Sequence, residues 1–230
     1  MRIYLAAHHH QTNWLHQIYG DRIGCCIQPE KWGDPKIPYF LDNGAFTNWR
    51  QGKEFESAKF ETLLEQASEH GQQTGNWPDF AVCPDRYGDP VATLELWDEW
   101  SDHIRAKGFK VAFVVQPGHD PRNTPPADLI FTGGGKPWKF EQIAIYRDRF
   151  PVHVGGITAS KLYFCHLAKA VSGDSAGFFR GDMAQLQRLY NYLADVVGEI
   201  DPIKAPESTR RKKSQSAPEQ LSLFGGWNAG

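Results

Sequence analysis

Eight short, nearly continuous apolar runs punctuate the chain before residue 176: 2–7 (RIYLAA), 23–28 (IGCCIQ), 39–43 (YFLDN), 80–85 (FAVCPD), 110–116 (KVAFVVQ), 128–133 (DLIFTG), 152–156 (VHVGG) and 171–175 (VSGDS). Runs of this kind predict strands buried on both faces. Between most of them the period changes. Apolar positions then recur every three to four residues, which predicts amphipathic helices near 54–70, 92–107, 138–149, 159–170 and 182–197. In the last, Met183, Leu186, Leu189, Tyr190, Leu193, Val196 and Val197 form the apolar stripe. Gly71, Gly108 and Gly198 stand where helix stops are expected. Strands alternating with helices predict an α/β fold, a compact and slightly irregular (β/α)8 TIM-type barrel, with an open doubly wound sheet as the alternative. The irregularity is the link from 23–28 to 39–43, which carries no helical pattern. From about Asp201 the periodicity stops. The expected organisation is one barrel domain, 1–200, and a flexible tail, 201–230.

The strand ends carry the candidate chemistry. Strand 39–43 ends in Asp42-Asn43-Gly44 and strand 80–85 in Pro84-Asp85. Strand 110–116 ends in Gln116-Pro117-Gly118, and strand 128–133 runs into Gly133-Gly134-Gly135. Strand 152–156 ends in Gly155-Gly156, and strand 171–175 in Gly173-Asp174-Ser175. A single Asp or Asn before Gly is ordinary turn or helix-cap chemistry. In a barrel, however, all C-terminal strand ends open on one face, where active sites of this fold lie. Three carboxylates, an amide and several glycines are therefore expected to converge.

At these residues the sequence resembles the tRNA-guanine transglycosylase superfamily, barrel enzymes that exchange a guanine base for a 7-deazaguanine. LDNGAF is similar to the strand-end segment whose Asp is the general acid/base, which implies that role for Asp42 and substrate binding for Asn43. CPDRYGD resembles the segment whose Asp reads the guanine edge, here Asp85. VVQPG is similar to the segment that places Gln116 on the base, and FTGGG to the glycine-rich turn of Gly133 and Gly134. GDSAGF lies where the family has its nucleophile, Asp174. Gly155 and Gly156 are further substrate-binding candidates, and Phe46 and Tyr87 are candidate stacking platforms with packing under a loop as the alternative. Asp89 reads as a helix N-cap or loop-former, His153 and His166 as scaffold. The tRNA enzymes carry a Cys-x-Cys-x-x-Cys…His zinc site after the nucleophile, and no Cys follows Asp174 here. The expectation is therefore no zinc or other cofactor, and a closer likeness to the deazapurine DNA-modification branch of phages and mobile elements.

Two carboxylates suffice for such an exchange, one attacking C1′ and one handling the proton of the leaving base. The resemblance thus implies a pentosyltransferase, a DNA-guanine transglycosylase working through a covalent Asp-glycosyl intermediate. A tRNA substrate, a base-excising N-glycosylase and an inactive binding module are the alternatives left open.

Composition adds little to the barrel and more to the tail. The chain is 40% hydrophobic and 23% charged with a net charge of −2, so no large basic surface is forced. The tail carries Lys204, Arg210, Arg211, Lys212 and Lys213 against Asp201, Glu207 and Glu219, a local excess for a polyanion or simply a solvated run. Within it, QLSLF resembles the peptide by which bacterial DNA polymerases dock on the sliding clamp, which implies Gln220, Leu221, Leu223 and Phe224 as partner-binding residues. Cys25, Cys26, Cys83 and Cys165 form no C-x-x-C pair and read as buried thiols of a reduced, cytoplasmic compartment; no stretch approaches membrane-spanning length. His8, His9 and His10 invite a metal reading, but contact with phosphate or base fits an extended chain better than shared ligation.

Overall fold

Buried parallel strands that pair with both neighbours, and finally with each other at the two ends of the series, leave no open sheet edge. That is the architecture of this chain in a computed structural model, which describes residues 1–6, 10–135, 137–175, 177–180 and 183–197. The strands are β1 (Arg2–Ala6), β2 (Ile23–Ile27), β3 (Tyr39–Leu41), β4 (Ala81–Val82), β5 (Val111–Val115), β6 (Leu129–Thr132), β7 (Val152–Val154) and β8 (Ser172–Ser175). Each pairs in parallel with the next, and β1 pairs with β8, closing the barrel. The doubly wound alternative is thereby excluded.

The helices are α1 (His10–Tyr19), α2 (Ala45–Arg50), α3 (Ser57–Thr74), α4 (Pro90–Ala106), α5 (Trp138–Tyr146), α6 (Leu162–Leu167), α7 (Gly177–Arg180) and α8 (Met183–Val197). No helix joins β2 to β3, as the sequence pattern implied. Three departures have physical reasons. Helix α1 went unseen because HQTNWLHQIY has no apolar stripe; it buries Gln11 and Thr12 beside Leu15. Helix α3 runs through Gly71 and stops at Gly75 (φ +75°). Gly71 is a packing glycine rather than a stop: the Trp77 ring lies on it, where an added Cβ would be 2.4 Å from Trp77 Cδ2. In α8 the buried face is Leu186, Leu189, Tyr192 and Leu193, whereas Met183 is exposed. Asp89 caps α4, accepting from the N–H of Val91 and of Ala92. Gly198 and the whole tail, with Gln220, Leu221, Leu223 and Phe224, lie outside the described residues, as do His8 and His9; His10 opens α1 on the surface.

Alternation along each strand divides the apolar residues into two sets. Ile3, Leu5, Ile23, Ile27, Leu41, Val111, Val115 and Ile130 pack outward under the helices. Tyr4, Phe40, Phe80, Val82, Ala112, Val114 and Leu129 fill the barrel, with Phe131 and Cys26 against them. At the N-terminal mouth Asp79 Oδ2 accepts from Arg2 Nη1 at 2.5 Å and from the Tyr4 hydroxyl at 2.7 Å. This ties the loop before β4 to β1 across the barrel. Replacing Asp79 with Ala strips both donors of their acceptor and is expected to lower stability by about 1–3 kcal/mol. The urea unfolding midpoint measures it, and an unchanged midpoint would show that the tie contributes nothing.

Candidate active site

At the opposite mouth the strand ends enclose a cavity of about 230 Å³. Its walls include Asp42, Asn43, Phe46, Asp85, Gln116, Gly133, Gly134, Gly155, Gly156 and Asp174, so every barrel residue expected at the site reaches it. Small-molecule pockets commonly span about 300–1,000 Å³, so this one is sized for a small ligand. Among the described residues no cluster of three or more His, Cys, Asp or Glu side chains has metal-binding geometry.

The three carboxylates sit in different surroundings. Asp42 follows β3; its Oδ2 accepts from Gln28 Nε2 at 2.9 Å and its Oδ1 from the Gly44 N–H at 3.0 Å. Burial, reinforced by the charge of Asp174, raises its pKa above the usual carboxylate range despite those two bonds. Asp85, beyond β4, is raised to about 7, chiefly by burial and also by the charge of Asp42. Its Oδ1 accepts from Asn43 Nδ2 at 2.8 Å and its Oδ2 from Gln116 Nε2 at 2.7 Å. Asp174, in β8, faces the cavity with about a fifth of its side chain exposed. Its Oδ1 accepts from His153 Nε2 at 3.1 Å and from the Gly156 N–H at 3.2 Å.

The amides act mainly as supports. Asn43 gives its other Nδ2 hydrogen bond to Cys83 O at 2.8 Å and accepts from the Ala45 N–H at 2.7 Å, so its amide serves to hold Asp85. Gln116, almost fully buried, accepts from the Gly88 N–H at 2.9 Å. Of its two amide hydrogens one is given to Asp85, leaving one for a ligand. Gly155 is required by the floor beneath it, since an added Cβ would lie 2.6 Å from the Phe131 ring.

Four residues of the site were missed in the sequence. Gln28 stands at the end of β2, a strand end overlooked because it carries no charge and no glycine. Lys139, in α5, is buried and donates to Gly155 O at 2.6 Å and Gly156 O at 2.9 Å, fixing the turn that supplies the Gly156 N–H. No local pattern distinguishes it. His153 was read as scaffold, yet it touches Asp174. Its position, one strand over and two residues from a Gly-Gly strand end, was the available cue. Trp49, in α2, is stacked on Phe46 (5.7 Å between rings, 27°) and lies against Tyr87 (4.2 Å), two residues that line the cavity. Phe46 and Trp49 are about half exposed, and the Arg50 guanidinium lies 6.0 Å from the Phe46 ring.

No family model matches the chain, and no curated protein does. Among solved structures it is similar to 3-hexulose-6-phosphate synthase, with a TM-score of 0.45 and 13% identity over 84% of this chain and 99% of that one. It is also similar to the Amycolatopsis orientalis BexX/CysO complex, with a TM-score of 0.47 and 14% identity over 89% of this chain and 94% of that one. Likeness at this level carries no argument about chemistry. The site has to be read from its own atoms.

Those atoms make a pH prediction. An Asp85 pKa of about 7 in the fold, against about 3.9 in the unfolded chain, means that the folded state binds the extra proton between those values. Its contribution to stability is full below pH 4 and is lost as the pH rises through 7. The melting temperature of the wild type should therefore fall relative to that of Asp85→Ala from pH 5 to pH 8. Taking the difference cancels His119 and His166, whose lowered pKa values act in the opposite sense. A difference that does not vary with pH would refute the raised Asp85.

Proposed function

We propose that this chain is a DNA-guanine transglycosylase, exchanging guanine for a 7-deazaguanine base. The observation that carries the proposal is the convergence of three differently held carboxylates and one half-spent amide on a single base-sized cavity. In this reading Asp174 attacks C1′ as the C1′–N9 bond breaks, and the bonding pair leaves with guanine. Asp42, its pKa raised, gives the departing base a proton. The incoming base then loses its N9 proton to Asp42, its N9 attacks C1′, and the Asp174–C1′ ester bond breaks. Two displacements return the original configuration. Above pH 7, where Asp85 is ionised, it accepts from guanine N1–H and the 2-amino group, and Gln116 donates its remaining hydrogen to O6.

The rim favours a polymer over a free nucleoside. Exposed aromatic rings beside cations are the usual platform for unstacked bases of a single strand, and a base inside a duplex must leave the stack to react. The choice of DNA over RNA rests on the motif resemblance and on the clamp-type QLSLF segment, which would bring the enzyme to replicating DNA.

Incubating the protein with DNA and 7-cyano-7-deazaguanine should place the modified base in the polymer, seen by mass spectrometry of the nucleosides. Asp174→Asn should abolish both exchange and a denaturation-resistant protein–DNA adduct, and Asp42→Asn should slow exchange by about 10²–10⁴-fold. Exchange in tRNA alone would transfer the reading to RNA. Abasic sites formed without added base would make the protein a hydrolase instead. Separately, Trp49→Ala should weaken single-stranded DNA binding by about 10–100-fold at fixed salt, one stacked base being worth about 1–3 kcal/mol. Fluorescence anisotropy with a labelled oligonucleotide would measure it, and unchanged affinity would remove the platform.

A further inference from the structure

We infer that His153 is a positioning residue for Asp174, the middle member of a buried Ser172–His153–Asp174 line whose acidic end faces the cavity. The inference rests on the transglycosylase reading, because the attack by Asp174 is what the line would serve.

The strand register builds it. Phe131 of β6 pairs with His153 of β7, and His153 with Ser172 of β8, so the three lie at one level inside the barrel. Asp174 is two residues farther along β8, hence on the same inner face and one layer nearer the cavity. His153 has no exposed surface, and a buried imidazole needs partners for both nitrogens. It has them: Nδ1 lies 2.9 Å from Ser172 Oγ and Nε2 lies 3.1 Å from Asp174 Oδ1.

The direction of those bonds follows from chemistry. In the transglycosylase reading Asp174 attacks as a carboxylate, which only accepts, so Nε2 carries the hydrogen and donates to it. Nδ1 is then the acceptor, and the Ser172 hydroxyl donates to it. The tautomer is thus fixed from both ends. The ring plane is fixed by packing, stacked on Phe131 at 4.7 Å and 23° and flanked by Phe40 at 5.0 Å and Phe80 at 5.3 Å.

Two donors, His153 Nε2–H and the Gly156 N–H, therefore converge on one oxygen of Asp174. Among the described residues Oδ2 has no hydrogen-bond partner, which leaves it to approach C1′. The residue types are those of a serine hydrolase triad, but the polarity is reversed: Ser172 is the buried end, 4% exposed, and the carboxylate meets the substrate. Serine is not the nucleophile here.

An error of about 1 Å in a reacting group costs about 10²-fold in rate. His153→Phe, which suits the aromatic layer, should slow single-turnover formation of the Asp174–DNA adduct by about 10²-fold while leaving the dissociation constant for guanine unchanged. His153→Gln, which retains an N–H donor at the end of a side chain of similar reach, should recover most of that rate. Ser172→Ala should fall between the two. Circular dichroism and the unfolding midpoint confirm folding, and if the Phe variant does not fold, the Ser172→Ala rate decides. A folded His153→Phe or Ser172→Ala that forms adduct at the wild-type rate would overturn the inference, as would equal losses in the Phe and Gln variants. A wild-type protein that forms no adduct would instead bring down the transglycosylase reading, and this role with it.

Discussion

Closure of eight parallel strands is the constraint from which the rest follows. A parallel barrel has two chemically different rims, and every strand delivers its last residue to the same one. Asp42, Asp85, Gln116 and Asp174 are separated by long stretches of chain, yet closure alone makes them neighbours. The price is electrostatic: burial and the charge of a neighbouring carboxylate both oppose ionisation of Asp42 and of Asp85. The three side chains are not held alike. Asp42 and Asp85 are left with raised pKa values, while a histidine and a backbone amide are aimed at Asp174. A difference among three identical side chains is thus produced by neighbours.

The supports show how little of the site is left to chance. Asn43 and Gln116 hold Asp85 from two sides, Gln28 holds Asp42, and Lys139 ties the carbonyls of the turn whose amide holds Asp174. Each support comes from a strand end or helix other than the one that carries its acid. The geometry is therefore a property of the closed barrel and would not survive in any isolated segment.

Much of this was legible in the sequence because strands announce themselves by continuous apolar runs, and Asp42, Asp85, Gln116 and Asp174 are polar residues placed where such runs end. All eight strands fall inside the runs that predicted them. Helix α1 was invisible because its buried face is largely polar, and Gly71 misled because a glycine demanded by a packed Trp77 looks like a glycine demanded by a turn. His153 and Lys139 were illegible for a deeper reason. A buried polar residue takes its meaning from its partners, and those partners lie on other strands. Where pattern along the chain decides, one sequence suffices; where pairing across the barrel decides, it does not.

The aromatic floor has a consequence for what the pocket can admit. Phe131 fills the space that a side chain on residue 155 would need, and the same ring steadies His153. Excavating downward to accommodate a bulkier ligand would loosen the histidine along with the floor. Tolerance for larger substituents has to be found farther out, at Phe46 and Thr47, which line the cavity and are exposed.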